Sequence, residues 1–398
     1  MNMAVAERPV RSKKVAPVQD GIHAMVPAEK MCEGARKLRA TYALTPGAGF
    51  YQREFGYYSL DQWKQNEGMP ADVPLDKLFQ FDPPSRHNLG GLGWCEAGFS
   101  PKFDEKLVED RGEYEVVQDF AGRHVLCFKG RRSGFMPDYI DHPVKDLATW
   151  KDLCLWRMDP KTPARYEKFE ENMAKAKAAA GQGMMIVQNL VGGYMYLRSL
   201  MGPEALLYKF YDDPDLIHAC MRTWFELADA VMAKHQQHVT LDEVFIGEDI
   251  CYNRGPLISP EMIREFLFPY YKKILDNARK RQIDKSRHMF FQVDTDGDAV
   301  SVIDLYKEIG MDVMSPFEVA SGCDVVAVGK KYPDLIMTGG VDKRELAKGR
   351  KAIDAMVDSI FPVMKARGGF IPTCDHGVPT EVKYQDYLYY RQRCLEFA

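Results

Sequence analysis

The segment HMFFQVDTD, residues 288–296, is a short apolar run that ends in two aspartates, Asp294 and Asp296. A run of this length is typical of a buried strand that leads into a polar loop. Five further apolar runs alternate with amphipathic stretches: MMIVQNLV (184–191), EVFIGEDI (243–250), DVMSPFE (312–318), LIMTGGVD (335–342) and GGFIPTCD (368–375). This alternation predicts a parallel sheet covered by helices, which we interpret as a (β/α)8 TIM barrel. A doubly wound open sheet is the competing α/β fold, but no G-x-G-x-x-G follows an early strand.

The composition is that of a soluble globular protein with a sizeable core. The chain has 398 residues, of which 46% are hydrophobic and 28% charged, and its net charge is -4. This charge gives no electrostatic reason to expect binding to nucleic acid or to an anionic membrane. The 9 cysteines form no C-x-x-C pair, a pattern that indicates reduced thiols and predicts a cytoplasmic location.

The first part of the chain differs in pattern from the rest. Residues 1–20 are polar and basic and predict a disordered tail, so we expect one domain over residues 21–398. Residues 21–175 are rich in Gly, Pro and aromatics and indicate an N-terminal elaboration, with the main barrel units over residues 176–398. Within the elaboration, EYEVVQDFAGRHVLCFKG (113–130) predicts a β-hairpin.

Polar residues follow the predicted strands, and in a barrel such residues converge on one mouth. Neighbouring carboxylates cannot all stay ionised there without a cation or a shared proton. The predicted catalytic residues are His376, Asp294, Glu248 and Asp296. The predicted substrate-binding residues are Asp249, Tyr252, Gln292, Glu318, Asp342 and Asn189. The alternative for any one carboxylate is that it caps the next helix, which is the role we expect for Asp298.

Two other clusters could contribute to a site. Arg131 and Arg132 in KGRRSGFMPDY (129–139) could clamp a substrate carboxylate or could be solvated at the surface. The run Cys374-Asp375-His376 joins a thiol, a carboxylate and an imidazole at the end of the last strand. Asp294, Cys374 and His376 would be a chemically acceptable ligand set for zinc.

The chain from about residue 184 onward resembles the uroporphyrinogen decarboxylase superfamily, which includes corrinoid-dependent methyltransferases. The matching stretches are GPLISPEMIREFLFPYYKKIL (255–275), VIDLYKEIGMDVMS (302–315), GGVDKREL (339–346) and GGFIPTCDHGVP (368–379). In this resemblance His376 matches the histidine of the family's late Gly-His-Gly segment. The resemblance implies a (β/α)8 barrel with its site at the C-terminal mouth, and a homodimer.

Departures from the family pattern make the chain a divergent member. The arginine-rich segment with which the decarboxylase grips its tetrapyrrole is not found, so we do not expect uroporphyrinogen decarboxylation. Gln292 and Asp294 stand where the methyltransferase branch has zinc-binding His and Cys. The resemblance implies a methyltransferase, or demethylase, that acts on a small methylated substrate and uses a corrinoid on a separate partner protein. The alternative is a decarboxylase or lyase that acts on a small carboxylate.

Overall fold

The computed structural model describes residues 30–131 and 137–398. The predicted tail at residues 1–20, and Arg132 of the predicted clamp, lie outside the described residues. The strands are β1 (Arg86–Asn88), β2 (Lys106–Arg111), β3 (Tyr114–Gln118), β4 (His124–Phe128), β5 (Asp138–Asp141), β6 (Met185–Val191), β7 (Glu243–Gly247), β8 (Cys251–Tyr252), β9 (Gly255–Pro256), β10 (Phe290–Asp294), β11 (Val313–Ser315), β12 (Ile336–Val341) and β13 (Phe370–Cys374). The α-helices are α1 (Glu33–Tyr42), α2 (Leu60–Asn66), α3 (Leu75–Leu78), α4 (Leu147–Thr149), α5 (Phe169–Gly181), α6 (Gly193–Met201), α7 (Pro203–Asp212), α8 (Pro214–His235), α9 (Pro260–Met262), α10 (Phe268–Arg281), α11 (Ile303–Lys307), α12 (Val325–Lys331), α13 (Lys343–Leu346), α14 (Arg350–Arg367) and α15 (Tyr384–Leu395).

The six apolar runs form strands of one parallel sheet, as predicted. The sheet has the order β1-β6-β7-β10-β11-β12-β13, and every neighbouring pair of strands is parallel. Helical segments lie between the successive strands of this sheet from β6 to β13. The sequence did not predict β1, which comes from the Gly-rich segment at residues 86–94.

The sheet curls around a common lumen. Arg86 of β1 contacts Glu243 two strands away and lies 3.4 Å from the amide oxygen of Gln292 three strands away, contacts that a flat sheet would not allow. Alternate strand residues therefore face either the lumen or the surrounding helices. The apolar residues of the lumen cluster, including those contributed by α1, are Leu38, Tyr42, Tyr51, Met185, Val187, Phe245, Phe290, Val313, Ile336 and Ile371.

The predicted closed barrel of eight strands is seen only in part, since the described residues form a curled sheet of seven parallel strands. Its edge strands, β1 and β13, are not paired with each other. An extended segment at residues 50–58 contacts both edges. Next to β13, the backbone N–H of Cys374 donates to the Glu54 carboxylate at 2.7 Å. Next to β1, the hydroxyl of Ser85 donates to the hydroxyl of Tyr51 at 2.7 Å.

The predicted hairpin is confirmed as the antiparallel pair β3 and β4, which belongs to a separate four-stranded sheet with β2 and β5. Arg131 lies at the end of this hairpin, where its backbone N–H donates to Phe128 at 2.9 Å. None of the helices in the described ranges is both long and apolar enough to cross a membrane.

Candidate functional site

Acidic side chains gather where β7 and β10 end. The backbone N–H of Glu248 donates to the carbonyl of Asp294 at 2.7 Å, and this bond brings the loop after β7 against the end of β10. Asp249 and Asp296 both act on Asp294 as nearby negative charges. Asp249 has a positive φ of 45°, a conformation that costs free energy for a residue other than glycine. We call the region around Asp249, Asp294 and Asp296 the mouth.

Asp294 is the half-buried carboxyl at the end of β10. Burial raises its pKa to about 7, with Asp296 and Asp249 acting in the same direction. The hydroxyl of Ser315, on the neighbouring strand β11, donates a hydrogen bond to Oδ2 of Asp294 and opposes this rise. A carboxyl group with a pKa near neutrality can hold a proton and release it under physiological conditions.

His376 lies at the mouth, held by aromatic residues of segment 50–58. Its Nδ1 is 3.1 Å from the hydroxyl of Tyr58, and the two rings are stacked with centroids 5.8 Å apart. Its Nε2 is 3.7 Å from a carboxylate oxygen of Asp296. Burial and the charge of Asp249 raise the pKa of Asp296 to about 6, and His376 opposes this rise. His376 therefore joins Tyr58 to the acidic group.

Lys343 and Arg198 balance part of the negative charge. The Lys343 ammonium lies 3.4 Å from Glu318 and 3.8 Å from Asp375. Asp375 is buried and accepts hydrogen bonds from two backbone N–H groups, so it fixes a loop. Arg198 of α6 lies 3.1 Å from Asp249.

Glu248 is not brought to the mouth, although the sequence predicted a catalytic role for it. It is fully buried among helices, where it accepts a hydrogen bond from the backbone N–H of Tyr194 at 2.8 Å and another from the hydroxyl of Tyr271. Burial raises the pKa of Glu248 to about 7. Its position beneath the start of α6 is that of a helix cap.

Asp342 and Cys374 are also placed away from the acidic group. Asp342 caps α13, accepting from the backbone N–H of Arg344 at 2.8 Å, and it pairs with the guanidinium of the same residue. Cys374 is fully buried in the apolar layer between the sheet and the helices, where burial raises its pKa. Because β13 ends at Cys374, His376 is released from the strand's alternation and turns toward Asp296.

The remaining predicted substrate-binding residues are spread over different depths. Asn189 of β6 is half-buried and is aligned with Phe245, on the face of the sheet that lines the lumen. Gln292 is 4% exposed and is hydrogen-bonded to the side chains of Arg86 and Ser315. Tyr252 is exposed, and its backbone carbonyl accepts from the N–H of Asp298.

The family comparison identifies the chain. The model of the uroporphyrinogen decarboxylase (URO-D) family matches residues 136–390. The chain belongs to the URO-D family. Among solved structures, this URO-D member is similar to a methyltransferase from Methanosarcina mazei, with 12% identity over 92% of this chain and 99% of that chain and a TM-score of 0.56. That similarity shows a shared fold.

Other comparisons add little. A B12-independent methionine synthase from a Shewanella species matches at 13% identity over 56% of this URO-D member and 65% of that chain, with a TM-score of 0.33, too low to bear on fold or function. No curated protein sequence matches the chain.

The predicted zinc site does not fit the geometry of this URO-D member. Within residues 30–131 and 137–398, no three His, Cys, Asp or Glu side chains are grouped so that they could hold a metal ion. The buried position of Cys374 in the apolar layer separates its thiol from the mouth.

Arg53 was not predicted from the sequence, and the URO-D fold places it in the lumen. Its charge acts on both Glu243, at the start of β7, and Asp294, at the mouth. Burial and the neighbouring guanidinium of Arg86 lower the pKa of Arg53. It makes no hydrogen bond or ion pair with any other described residue. Arg53 is therefore a cation left open to a ligand.

Proposed function

We propose that this URO-D family member is a methyltransferase that removes a methyl group from a small methylated compound, with Asp294 as the general acid. The observation that carries the proposal is the half-buried Asp294 carboxyl, whose pKa is raised to about 7. A methyl group leaves readily only when the atom it leaves is protonated or otherwise stabilised, and an acid with a pKa near neutrality can supply that proton.

The chemistry divides between the chain and a partner. A reduced corrinoid, carried by a separate protein, would supply the nucleophile for the methyl group. The bond from the methyl group to its donor atom breaks, and the electron pair stays with that atom. Where the substrate is a neutral amine, thioether or ether, Asp294 gives its proton to the same atom; an ammonium substrate leaves as an amine without that proton. Tyr58 lies 3.1 Å from His376, and His376 lies 3.7 Å from Asp296, whose charge acts on Asp294. We propose that the proton of Asp294 is replaced from solvent on this side of the mouth.

The charge of the mouth favours a neutral or cationic methylated substrate. When Asp294 holds its proton, the four carboxylates Asp249, Asp296, Glu318 and Asp375 still outnumber the three cations Arg198, Lys343 and Arg53. A compound that carries several carboxylates would meet this surface unfavourably. Phe55 and Tyr58, both partly exposed next to His376, offer ring faces that attract a methylated cation. Pairing of two chains in a homodimer stays a prediction.

We expect the purified protein to transfer a methyl group to free cob(I)alamin from at least one class of a panel of methylated amines, thioethers and methoxylated aromatics. The spectral change of the cobalamin measures the reaction without the natural partner. We expect methylated amines to react best, because the mouth is negative. If no member of the panel reacts while carboxylate substrates are turned over, the proposal is wrong and the second candidate stands.

Arg53 favours a second candidate function, a decarboxylase or lyase that acts on a small carboxylate. A guanidinium with no partner in the described chain can bind a carboxylate in bidentate fashion. Asp294 would then protonate the carbanion that remains when carbon dioxide leaves.

If the substrate is a carboxylate, Arg53→Gln should raise KM about 10²-fold, because a charged hydrogen-bonded partner of the substrate is lost. Arg53→Lys keeps the charge but not the planar fork, so it should recover only part of the loss. The measurement is release of carbon dioxide from a panel of small carboxylates, with the methyl-transfer assay run on the same variants. An unchanged KM for the carboxylate in Arg53→Gln would remove this candidate.

A further inference from the structure

Three side chains on neighbouring strands form a hydrogen-bonded line that ends on Asp294. Ser315 of β11 is aligned with Asp294 of β10 in the parallel register. The amide nitrogen of Gln292 donates to the Ser315 hydroxyl at 2.7 Å, and that hydroxyl donates to Oδ2 of Asp294. Ser315 and Gln292 are both almost completely buried, so the line is sealed from solvent on the lumen side.

The direction of the line is set at its far end by Arg86. A guanidinium can only donate hydrogen bonds, so the Gln292 oxygen must be the atom that faces Arg86, at 3.4 Å. The Gln292 amide nitrogen then faces Ser315 and must donate to it. Glu243 and the hydroxyl of Tyr42 hold Arg86 in place. The donor and acceptor chemistry of its neighbours therefore fixes the orientation of the Gln292 amide.

The same reasoning fixes the hydrogen of Ser315. Its oxygen already accepts from Gln292, and among the described residues the only other side chain to which it is hydrogen-bonded is Asp294. If the proton of Asp294 lay on Oδ2, the buried Ser315 hydroxyl would have to give up its only acceptor. Oδ1 is bonded to no described residue and is not sealed from solvent.

We propose that Ser315 and Gln292 are positioning residues that confine the proton of Asp294 to Oδ1, the oxygen that is open to the mouth. The roles follow from donor and acceptor geometry in a buried line of side chains. This replaces the substrate-binding role predicted for Gln292 from the sequence. The proposal rests on the proposed function only where it calls Asp294 the acid, because the titration of Asp294 can be measured without turnover.

Other charged groups also face Asp294 and must be held constant in any test. Asp296, two residues later, and Asp249, after β7, raise the pKa of Asp294. Arg53, from segment 50–58, lowers it. Substitutions at Ser315 and Gln292 leave these three groups in place. The change that Ser315→Ala makes in the titration of Asp294, compared within one background at position 292, can then be assigned to the line of hydrogen bonds.

The test is a carbon-13 NMR titration of the Asp294 carboxyl in protein labelled at aspartate, with the resonance assigned by its loss in Asp294→Asn. Ser315→Ala removes a hydrogen bond that the carboxylate form accepts, so we expect its midpoint to rise by about one pH unit. Ser315→Thr keeps the hydroxyl and should restore the original midpoint. An unchanged midpoint in Ser315→Ala would overturn the proposal.

A second variant tests the role of Gln292. In Gln292→Glu the new carboxylate can accept from both Arg86 and Ser315, so it should draw the Ser315 hydrogen away from Asp294. We expect Ser315→Ala to shift the midpoint in the wild-type background and to have no further effect in the Gln292→Glu background. Equal shifts of the Asp294 midpoint in both backgrounds would show that Gln292 does not determine which group the Ser315 hydroxyl donates to.

The pH dependence of turnover separates this proposal from the proposed function. In Ser315→Ala the alkaline limb of the pH profile should move upward together with the NMR midpoint, whereas a purely structural defect would lower turnover at every pH. NMR shifts as expected, with no methyl transfer in any variant, would contradict the proposed function and leave the positioning roles standing. Turnover without the NMR shifts would support the proposed function and overturn the positioning roles of Ser315 and Gln292.

Discussion

Replacing Asp294 with asparagine should reduce turnover by about 10²–10⁴-fold, the contribution typical of a general acid. Asparagine keeps the shape of aspartate and can still accept the hydrogen bond from Ser315, but it has no acidic proton to give. The measurement is the steady-state rate with the best substrate of the panel. Wild-type turnover depends on protonated Asp294, so it should fall as the pH rises through about 7, the raised pKa of that carboxyl.

The Asp294→Asn substitution should lower turnover without lowering the stability of the folded chain, and this difference distinguishes loss of chemistry from loss of fold. The folded chain raises the pKa of Asp294 above its value in an unfolded chain, about 3.9. The contribution of this group to stability is therefore complete below the unfolded value and is lost as the pH rises through about 7. The asparagine side chain does not ionise, so at mildly alkaline pH we expect Asp294→Asn to be at least as stable as the wild type.

Asp298→Asn is the matched control, because Asp298 lies in the same loop and caps a 3₁₀ turn by accepting from the backbone N–H of Ser301. We expect its turnover to stay within about twofold of the wild type, since asparagine is nearly as good a cap. Equal loss of activity in both variants, or full activity in Asp294→Asn, would contradict the assignment of the acid.

The fold was largely readable because each buried parallel strand is a short apolar run between helical stretches. All six predicted strands are present. The seventh, Arg86–Asn88, has no apolar residue at all and could not be recognised by such a pattern. The segment at residues 50–58 is equally hidden, because side chains rather than a strand ladder attach it to β13 and to the residues before β1.

The candidate site was predicted only in part, because a pattern of carboxylates at strand ends does not reveal which way each one points. Glu248 alternates with the same period as Val244 and Ile246, which face the helices. Because this strand is buried on both faces, its sequence does not show which residues face the helices and which face the lumen. Asp294 is in phase with Phe290 and faces inward. Arg53 and Tyr58 come from a segment far away in sequence, and their only signal was a basic residue among aromatics in YQREFGYY (51–58).

The largest effect on stability is expected from Glu248→Ala, which should lower the free energy of unfolding by roughly 2–6 kcal/mol. Two buried donors, the backbone N–H of Tyr194 and the hydroxyl of Tyr271, would each lose an acceptor at about 1–3 kcal/mol. The hydroxyl of Tyr271 also accepts from the backbone N–H of Gly193 at 2.6 Å, so the start of α6 would lose its support. Denaturant unfolding of both proteins measures the difference.

The surface residue Glu308 gives the matched control. It is partly exposed and pairs with Arg264 at 2.6 Å, and such pairs contribute about 0–1 kcal/mol, so Glu308→Ala should cost little.

The pH dependence gives a second check on Glu248. Burial raises its pKa to about 7, so its contribution to stability is lost as the pH rises from the unfolded value, about 4.3, through about 7. Glu248→Gln cannot ionise and should flatten that part of the stability profile while keeping turnover where the chain is folded. Loss of turnover in Glu248→Gln with unchanged stability would instead support the catalytic role that the sequence predicted for Glu248.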